Sequence, residues 1–213
     1  MTDNYDKIII DICGGTASWS KYYAENGYHV IVVDLGWIEH RSTGLSARAY
    51  IPILNARTFI LKYNSIYGIL AAPPCTHFSS SGAQYWPAKD ADGRTKADLL
   101  IVHACLDIIE VAQPEGFWAL ENPVGRLPDL CPRLEQLGGK RRYFNPCDYG
   151  DPYTKKTCLW GSFNMPEKHP VEPIRHNKQG SWLQSLGGSS EETKRLRSMT
   201  PDGFAKAFYE ANK

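Results

Sequence analysis

The chain has 213 residues, 42% of them hydrophobic and 22% charged, with a formal net charge of +1. That length suits one α/β domain with a real core, and the balanced charge leaves any nucleic-acid binding to local patches. No apolar run approaches the ~20 residues of a membrane span.

No targeting segment or internal repeat stands out. The six cysteines, at positions 13, 75, 105, 131, 147 and 158, form no CxxC pair. They read as reduced thiols of a cytoplasmic protein rather than a disulfide framework. Cys131, Cys147, Cys158 and His169 are too irregularly spaced for a zinc finger, so no metal is expected.

Lys7 to Ile12 is β-branched and apolar on both faces, as a buried parallel strand is. It runs into the turn Cys13-Gly14-Gly15-Thr16-Ala17-Ser18, then a helical pattern from Trp19 to Asn26 that Gly27 can stop. Strand, glycine turn and helix bring backbone amides close to a cofactor. The GxGxxG spacing is missing, which argues against a nicotinamide dinucleotide. Tyr28 to Val33 is the second strand, ending in Asp34. An acid there accepts hydrogen bonds from the ribose of an adenosine cofactor; a helix N-cap or solvated turn is an equal alternative. Arg41 to Tyr50 reads as loop or short helix, and Ile51 to Lys62 as a weaker third strand with Asn55 near its end.

The apolar run Ile66 to Leu70 is the next strand, stopped by Pro73 and Pro74, which leaves Cys75 on a stiff turn at the carboxyl end. Open α/β sheets bind their ligands at the carboxyl ends of strands. A thiol held there, before Ser79-Ser80-Ser81-Gly82, is placed for nucleophilic attack; a buried structural cysteine is the other reading. The polar segment through Trp86 to Arg94 is long for a connection and suits a lid. From Thr95 to Ala112 apolar residues recur at helical spacing, and Pro114 ends the helix. Phe117 to Leu120 is a further strand, closed by Glu121-Asn122-Pro123, so a second reactive side chain sits at a strand tip. Val124 to Asn145 is loop-rich, with the basic cluster Lys140-Arg141-Arg142. Tyr149 to Trp160 is a turn leading into a short strand, and 163–190 shows no assignable element. Thr200 and Pro201 read as cap and first residue of a closing helix.

Taken in order, these motifs resemble the DNA cytosine-C5 methyltransferases, in particular the short forms of phage and prophage genomes. The Asp11 to Ser18 stretch is similar to the family's first cofactor motif, Asp34 to its ribose-binding acid, and Asn55 to its adenine-facing aspartate. Ala72-Pro73-Pro74-Cys75, with Phe78-Ser79, is similar to the catalytic Pro-Cys loop, and Glu121-Asn122-Pro123 to the Glu-Asn-Val motif. Tyr149-Gly150-Asp151-Pro152 begins like the stretch before the arginine-rich motif, and Arg197 to Ala205 resembles the late Arg…Thr…Ala segment.

The resemblance implies a Rossmann-like α/β fold, with a mostly parallel sheet and helices on both faces, spanning 1–213 as a single catalytic domain. It implies S-adenosylmethionine as cofactor, held by Asp11, Cys13, Gly14, Gly15, Thr16, Ser18, Asp34, Leu35, Asn55, Ala72 and Pro74. Cys75 would attack carbon 6 of cytosine, Glu121 would hold ring N3 and the amine, and Ser79 and Lys155 would assist. Arg141, Arg142, Lys156 and Thr157 would face nucleic acid, although exposed charges are as often merely solvated. The site would lie in the cytoplasm of a bacterium or phage-infected host.

Departures from the pattern are specific. Ala17 stands at the second glycine of the cofactor turn, Asn55 replaces an aspartate, and Lys155 and Thr157 fall where two arginines are expected. Lys155 keeps the charge without the planar fork. Between Trp160 and the closing helix about 35 residues remain, well below a typical domain, so 161–198 reads as a reduced, loop-rich insertion in place of a target-recognition domain. The substrate is then DNA with a flipped cytosine, single-stranded DNA, or DNA presented by a protein partner. RNA or a free pyrimidine nucleotide, or a non-catalytic module binding S-adenosylmethionine or nucleic acid, are the alternatives.

Overall fold

The structure is a computed structural model that describes residues 4–34, 37–41, 48–49, 65–175, 181–186 and 190–213. Leu35, Asn55 and the weak strand expected over 51–62 lie outside the described residues.

The elements run β1 (Ile8–Ile12), α1 (Lys21–Glu25), β2 (His29–Asp34), β3 (Trp37–Arg41), β4 (Arg48–Ala49), β5 (Gly68–Ala71), α2 (Trp86–Ala91), α3 (Arg94–Ala112) and β6 (Phe117–Pro123). They continue with α4 (Leu127–Leu130), α5 (Arg133–Gly138), β7 (Arg142–Phe144), β8 (Thr157–Ser162), α6 (Trp182–Ser185), α7 (Glu191–Ser198) and α8 (Asp202–Ala211). Among the described residues the strands form one sheet in the order β4-β3-β2-β1-β5-β6-β8-β7. The four central strands are parallel, and both wings are antiparallel.

The expected Rossmann-like α/β fold is thus present, and its sheet is covered on both faces. Successive side chains of a strand point to opposite faces, and the core divides accordingly. Ile10, Ile12, Ile31, Val33 and Ile69 pack with Val102, Cys105, Leu106 and Ile109 of α3. Ile9, Val30, Val32 and Leu70 pack on the other face with Trp19, Tyr23 of α1, and Phe204 and Phe208 of α8. Each large apolar side chain buried in this way stabilises the fold by about 1.5–3 kcal/mol.

Several elements depart from expectation for local reasons. The helix after the glycine turn begins at Lys21 rather than Trp19, with Ser20 as its N-cap residue and the Ser20 hydroxyl donating to Asp11 Oδ2 at 2.5 Å. The segment before Arg94 is helical, in a 3-10 turn (Ser80–Tyr85) and α2. It is tied down by Lys89 Nζ, which donates to the Thr76 carbonyl at 2.7 Å. The closing helix starts at Asp202, one residue later than its cap signal. Asp151 Oδ2 accepts from the Gly203 amide at 2.8 Å, so a carboxylate from another loop satisfies the first turn. Among the described residues no helix is long and apolar enough to cross a membrane.

Candidate active site

The sheet order creates a crevice. From β1 the chain proceeds outward through β2, β3 and β4, and then re-enters beside β1 as β5. At such a switch point the connections leave the strand tips in opposite directions and open a cleft, the usual ligand site of open α/β sheets. The tips bordering it are the Cys13-Gly14 turn after β1 and Ala72-Pro73-Pro74 after β5, with Asp34 on β2 to one side and Glu121 on β6 to the other.

The turn after β1 is strained and well anchored. Cys13, Gly15 and Ala17 all have positive φ, at 58°, 50° and 54°. Such values cost a residue bearing a Cβ about 1 kcal/mol or more, and the surrounding bonds hold them in place. Cys13 N–H donates to the Val33 carbonyl at 2.6 Å, and Gly15 N–H to Asp34 Oδ2 at 2.7 Å. A Cβ on Gly14 would stand 2.6 Å from Asp11 Cγ, so only glycine lets this backbone pass the buried carboxylate. Ser18 Oγ accepts from the Thr200 amide at 2.9 Å, joining the turn to the segment before α8. Thr16 is half-buried beside them.

Asp11 and Asp34 both push up the Cys13 thiol, after the hydrogen bond to Cys105 and burial, so two carboxylates border this turn. Their field suits a cationic ligand and opposes a pyrophosphate. Ala72 N–H donates to the Ile12 carbonyl at 2.9 Å, which locks the β5 tip to the β1 tip. These are the residues that would hold a cofactor.

Across the crevice, parallel pairing of Ala71 with Leu120 sets Ala72, just past the end of β5, beside Glu121, which is still within β6 and pairs with Leu159 of β8. Asn122 Nδ2 then donates to the Pro73 carbonyl at 3.2 Å, fastening the Glu-Asn-Pro tip to the Pro-Pro-Cys tip. Cys75 is exposed to solvent on the turn that follows β5. Burial is the largest influence on its thiol, followed by the charge of Glu121, and together they push it up to about 11 against the opposing charge of Lys155. Burial also raises the Glu121 carboxyl, and Lys155 opposes this too. Cys75, Glu121 and Lys155 therefore share one electrostatic neighbourhood. A neutral Glu121 removes one of the charges opposing a Cys75 thiolate, so protonated acid and ionised thiol favour each other.

The loop carrying Cys75 is braced from below. Phe78 and Ser79 amides donate to the Cys75 carbonyl at 3.0 and 3.1 Å, closing a tight turn. Arg126 Nε and Nη2 donate to the His77 carbonyl, both at 3.2 Å, while its fork grips Asp90 at 2.8 and 2.7 Å and Thr95 Oγ1 at 3.0 Å. His77 Nδ1 meets Asp98 Oδ2 of α3 at 2.5 Å. Gly125 passes so close that a Cβ there would lie 1.9 Å from the Phe78 carbonyl oxygen. Ser79 Oγ is 2.9 Å from Ser81 Oγ, leaving a hydroxyl pair on the loop.

The remaining residues singled out in the sequence lie along the β7–β8 wing. Lys155 Nζ donates to the Arg197 carbonyl of α7 at 2.9 Å. Thr157 is buried, its hydroxyl donating to the Lys155 carbonyl at 2.9 Å. Arg141 and Lys156 are exposed; Lys156 lies over the Tyr143 ring and Arg141 is 3.6 Å from Glu135. Arg142 turns inward, donating to the Gly161 and Phe163 carbonyls at 2.5 and 3.1 Å, with its guanidinium 3.6 Å from the Phe163 ring centroid.

Sequence reasoning passed over Asn122, Lys89, Arg126 and the His77–Asp98 pair as site-building residues. Asn122 could have been found beside the acid; the others are distant in sequence and show themselves only in three dimensions.

No protein-family model and no curated protein matches the sequence. Among solved structures the chain is similar to a prophage-encoded E. coli protein described as a DNA modification methyltransferase. That match has 16% identity and a TM-score of 0.49, covering 87% of this chain and 56% of the other. The chain is also similar to the methyltransferase EhMeth of Entamoeba histolytica, with 13% identity and a TM-score of 0.43, covering 88% of this chain and 62% of the other. It spans less than two thirds of the length of either.

Proposed function

We propose that this protein transfers a methyl group from S-adenosylmethionine to carbon 5 of cytosine in DNA through a covalent bond between Cys75 and carbon 6. One observation carries the reading: a thiol on the turn after β5 and a raised carboxyl near the end of the adjacent parallel strand β6, the two segments tied by the Asn122–Pro73 hydrogen bond, with one lysine acting on both. The two carboxylates at the β1 turn fit a sulfonium cofactor bearing ribose hydroxyls, with Asp34 as the ribose acceptor and Asn55 and Leu35 expected at the adenine. When bound, S-adenosylmethionine supplies an electrophilic methyl group on sulfur.

The chain supplies the rest. Cys75 loses its proton to solvent and its thiolate adds to carbon 6; the 5,6 π pair forms a carbon 4–carbon 5 double bond, and the carbon 4–N3 π pair moves onto N3, which takes the proton of Glu121. Carbon 5 thereby becomes nucleophilic. After transfer, a water held by the Ser79–Ser81 hydroxyls takes the proton from carbon 5. The carbon 6–sulfur bond then breaks, returning its electron pair to Cys75, and N3 returns its proton to Glu121. A thiol near 11 is mostly protonated at neutral pH, so this route needs the coupling between a protonated Glu121 and an ionised Cys75 described above.

The target base must leave any duplex to reach the cleft. Arg141 and Lys156, both exposed, would contact phosphates along the rim. The short 161–198 interval favours a base that is already unpaired, or one presented by a partner protein, over a long duplex recognition sequence.

Radiolabelled S-adenosylmethionine offered with duplex DNA, single-stranded DNA, RNA and dCMP tests this reading, with products identified by nucleoside mass spectrometry. Label in 5-methylcytosine from DNA, absent with Cys75→Ala, supports it. Label confined to RNA or dCMP moves the same chemistry to another substrate. Cofactor binding without label on any of the four leaves a binding module.

A further inference from the structure

Among the described residues, the buried polar atoms without a hydrogen-bond partner include Glu121 Oε2 and the indole Nε1 of Trp19. Trp19 is only 2% exposed. Both residues line the same small cavity, about 10 Å³ in volume, whose wall also includes Lys155, Thr157, Phe144 and Phe204. A buried N–H donor and a buried carboxyl oxygen left unmatched are costly, and native interiors seldom leave them so. A cavity of this volume holds one water and no larger ligand, and a buried water needs two to four polar partners.

We infer that Trp19 is a positioning residue for Glu121, acting through a single water held between indole Nε1–H and Glu121 Oε2. The inference rests on the proposed role of Glu121 as a proton donor. The site offers the necessary complement of groups. Nε1–H can only donate, and Oε2 accepts. Thr157 Oγ1 has its hydrogen committed to the Lys155 carbonyl, so it presents an acceptor. One water accepting from Trp19 and donating to Glu121 and Thr157 satisfies all three.

Trp19 is held rigidly enough for the task. It lies between Ser18, which bonds the Thr200 amide, and Ser20, which bonds Asp11. Its ring packs at 6.2 Å on Phe204 and at 5.4 Å, edge to face, on Phe208. The acid is thereby linked to the cofactor turn through one residue.

The chemical consequence concerns which oxygen carries the proton. With Oε2 committed as an acceptor, the proton of the neutral carboxyl resides on Oε1. Oε1 would then be the oxygen that meets ring N3. Without the indole N–H the water loses a donor, and Oε2 is no longer held as the acceptor.

Trp19→Phe keeps the aromatic packing and removes the N–H, and the wild-type protein alone supplies the first measurement. A high-resolution crystal structure of the wild type should show one water within hydrogen-bond distance of both atoms. Infrared difference titration of the Glu121 carboxyl, identified with Glu121→Gln, should move to higher pH in Trp19→Phe. The sign follows because a donor to a carboxylate stabilises its charged form. Label transfer should lose about tenfold in kcat with the cofactor dissociation constant unchanged, as expected for the loss of one positioning interaction. A cavity without water in the wild type, a direct contact between Nε1 and Oε2, or an unmoved carboxyl titration would overturn the inference. If no substrate is methylated but the water and the titration behave as stated, the proposed reaction fails while the positioning of Glu121 stands.

Discussion

Two sides of the cleft are built differently. The Pro-Pro-Cys tip is braced by Asn122, Arg126, Lys89 and the His77–Asp98 pair, and its backbone turns on its own amides. The other side, with Lys156 and Arg141, relies on a lysine over a tyrosine ring and a 3.6 Å ion pair. Exposed charges held this loosely contribute little to stability. They remain free to follow a phosphate backbone, whereas a nucleophile displaced by about 1 Å costs on the order of a hundredfold in rate. Precision is concentrated where bonds would be made, and adaptability where a polymer would be gripped.

That contrast orders the expected effects of substitution. Cys75→Ala removes the nucleophile and should reduce label transfer at least about a thousandfold. The substituted residue is solvent-exposed, so cofactor affinity and thermal midpoint should stay unchanged. Arg126→Ala touches no substrate, yet it releases the loop from Asp90, Thr95 and the His77 carbonyl. Turnover should fall about a hundredfold with a lowered melting temperature, and Arg126→Lys, which lacks the planar fork, should recover only part of either. An unaffected rate would mean that the brace does not position Cys75.

On the cofactor side, Asp34→Ala should weaken S-adenosylmethionine binding about tenfold or more by calorimetry, since a hydrogen bond to a charged acceptor is lost. An unchanged constant would unseat Asp34 from the ribose. Smallest of all, Lys156→Ala and Arg141→Ala should each reduce the slope of log affinity for DNA against log salt by about one, with the rate at saturation kept.

The raised Glu121 carboxyl also sets a pH signature in stability. Burial favours its neutral form, so the folded protein binds the proton more tightly than the unfolded chain does. Stability falls as pH rises from the ordinary carboxyl value of 4.5 toward the higher folded value, then levels off. Glu121→Gln should therefore melt above the wild type at neutral pH, with the gap closing below the ordinary carboxyl range. A gap that does not change with pH would show that the carboxyl is not buried as described.

The braced side was half legible in the sequence. Continuous apolar runs at Ile8–Ile12, His29–Val33 and Gly68–Ala71 mark central strands, because strands buried on both faces lose their alternation. Proline and acid punctuation then marks their tips, so Cys75, Asp34 and Glu121 could be named with their positions. The braces could not. Arg126 lies 36 residues from Asp90 and 49 from His77, and no local pattern links them. The strand Trp37–Arg41 mixes apolar and charged residues, so its sequence carries no continuous apolar run to mark it. The charge of Arg142 points to a phosphate contact, yet the Gly161 and Phe163 carbonyls turn it inward. Trp19 reads as the first residue of an amphipathic helix; only its place on the Glu121 cavity gives it another part.

The most direct test of the central claim is to trap the covalent bond. Single-stranded DNA carrying 5-fluorocytosine would be incubated with the protein and S-adenosylmethionine and analysed by intact-mass spectrometry after denaturation. Fluorine at carbon 5 cannot leave as a proton, so attack and transfer should stall with the chain attached. The account predicts an adduct of protein plus oligonucleotide plus one methyl group, mapped to Cys75 by peptide sequencing and absent with Cys75→Ala. An adduct at another residue, or methylated cytosine produced by the Cys75→Ala protein, would contradict it.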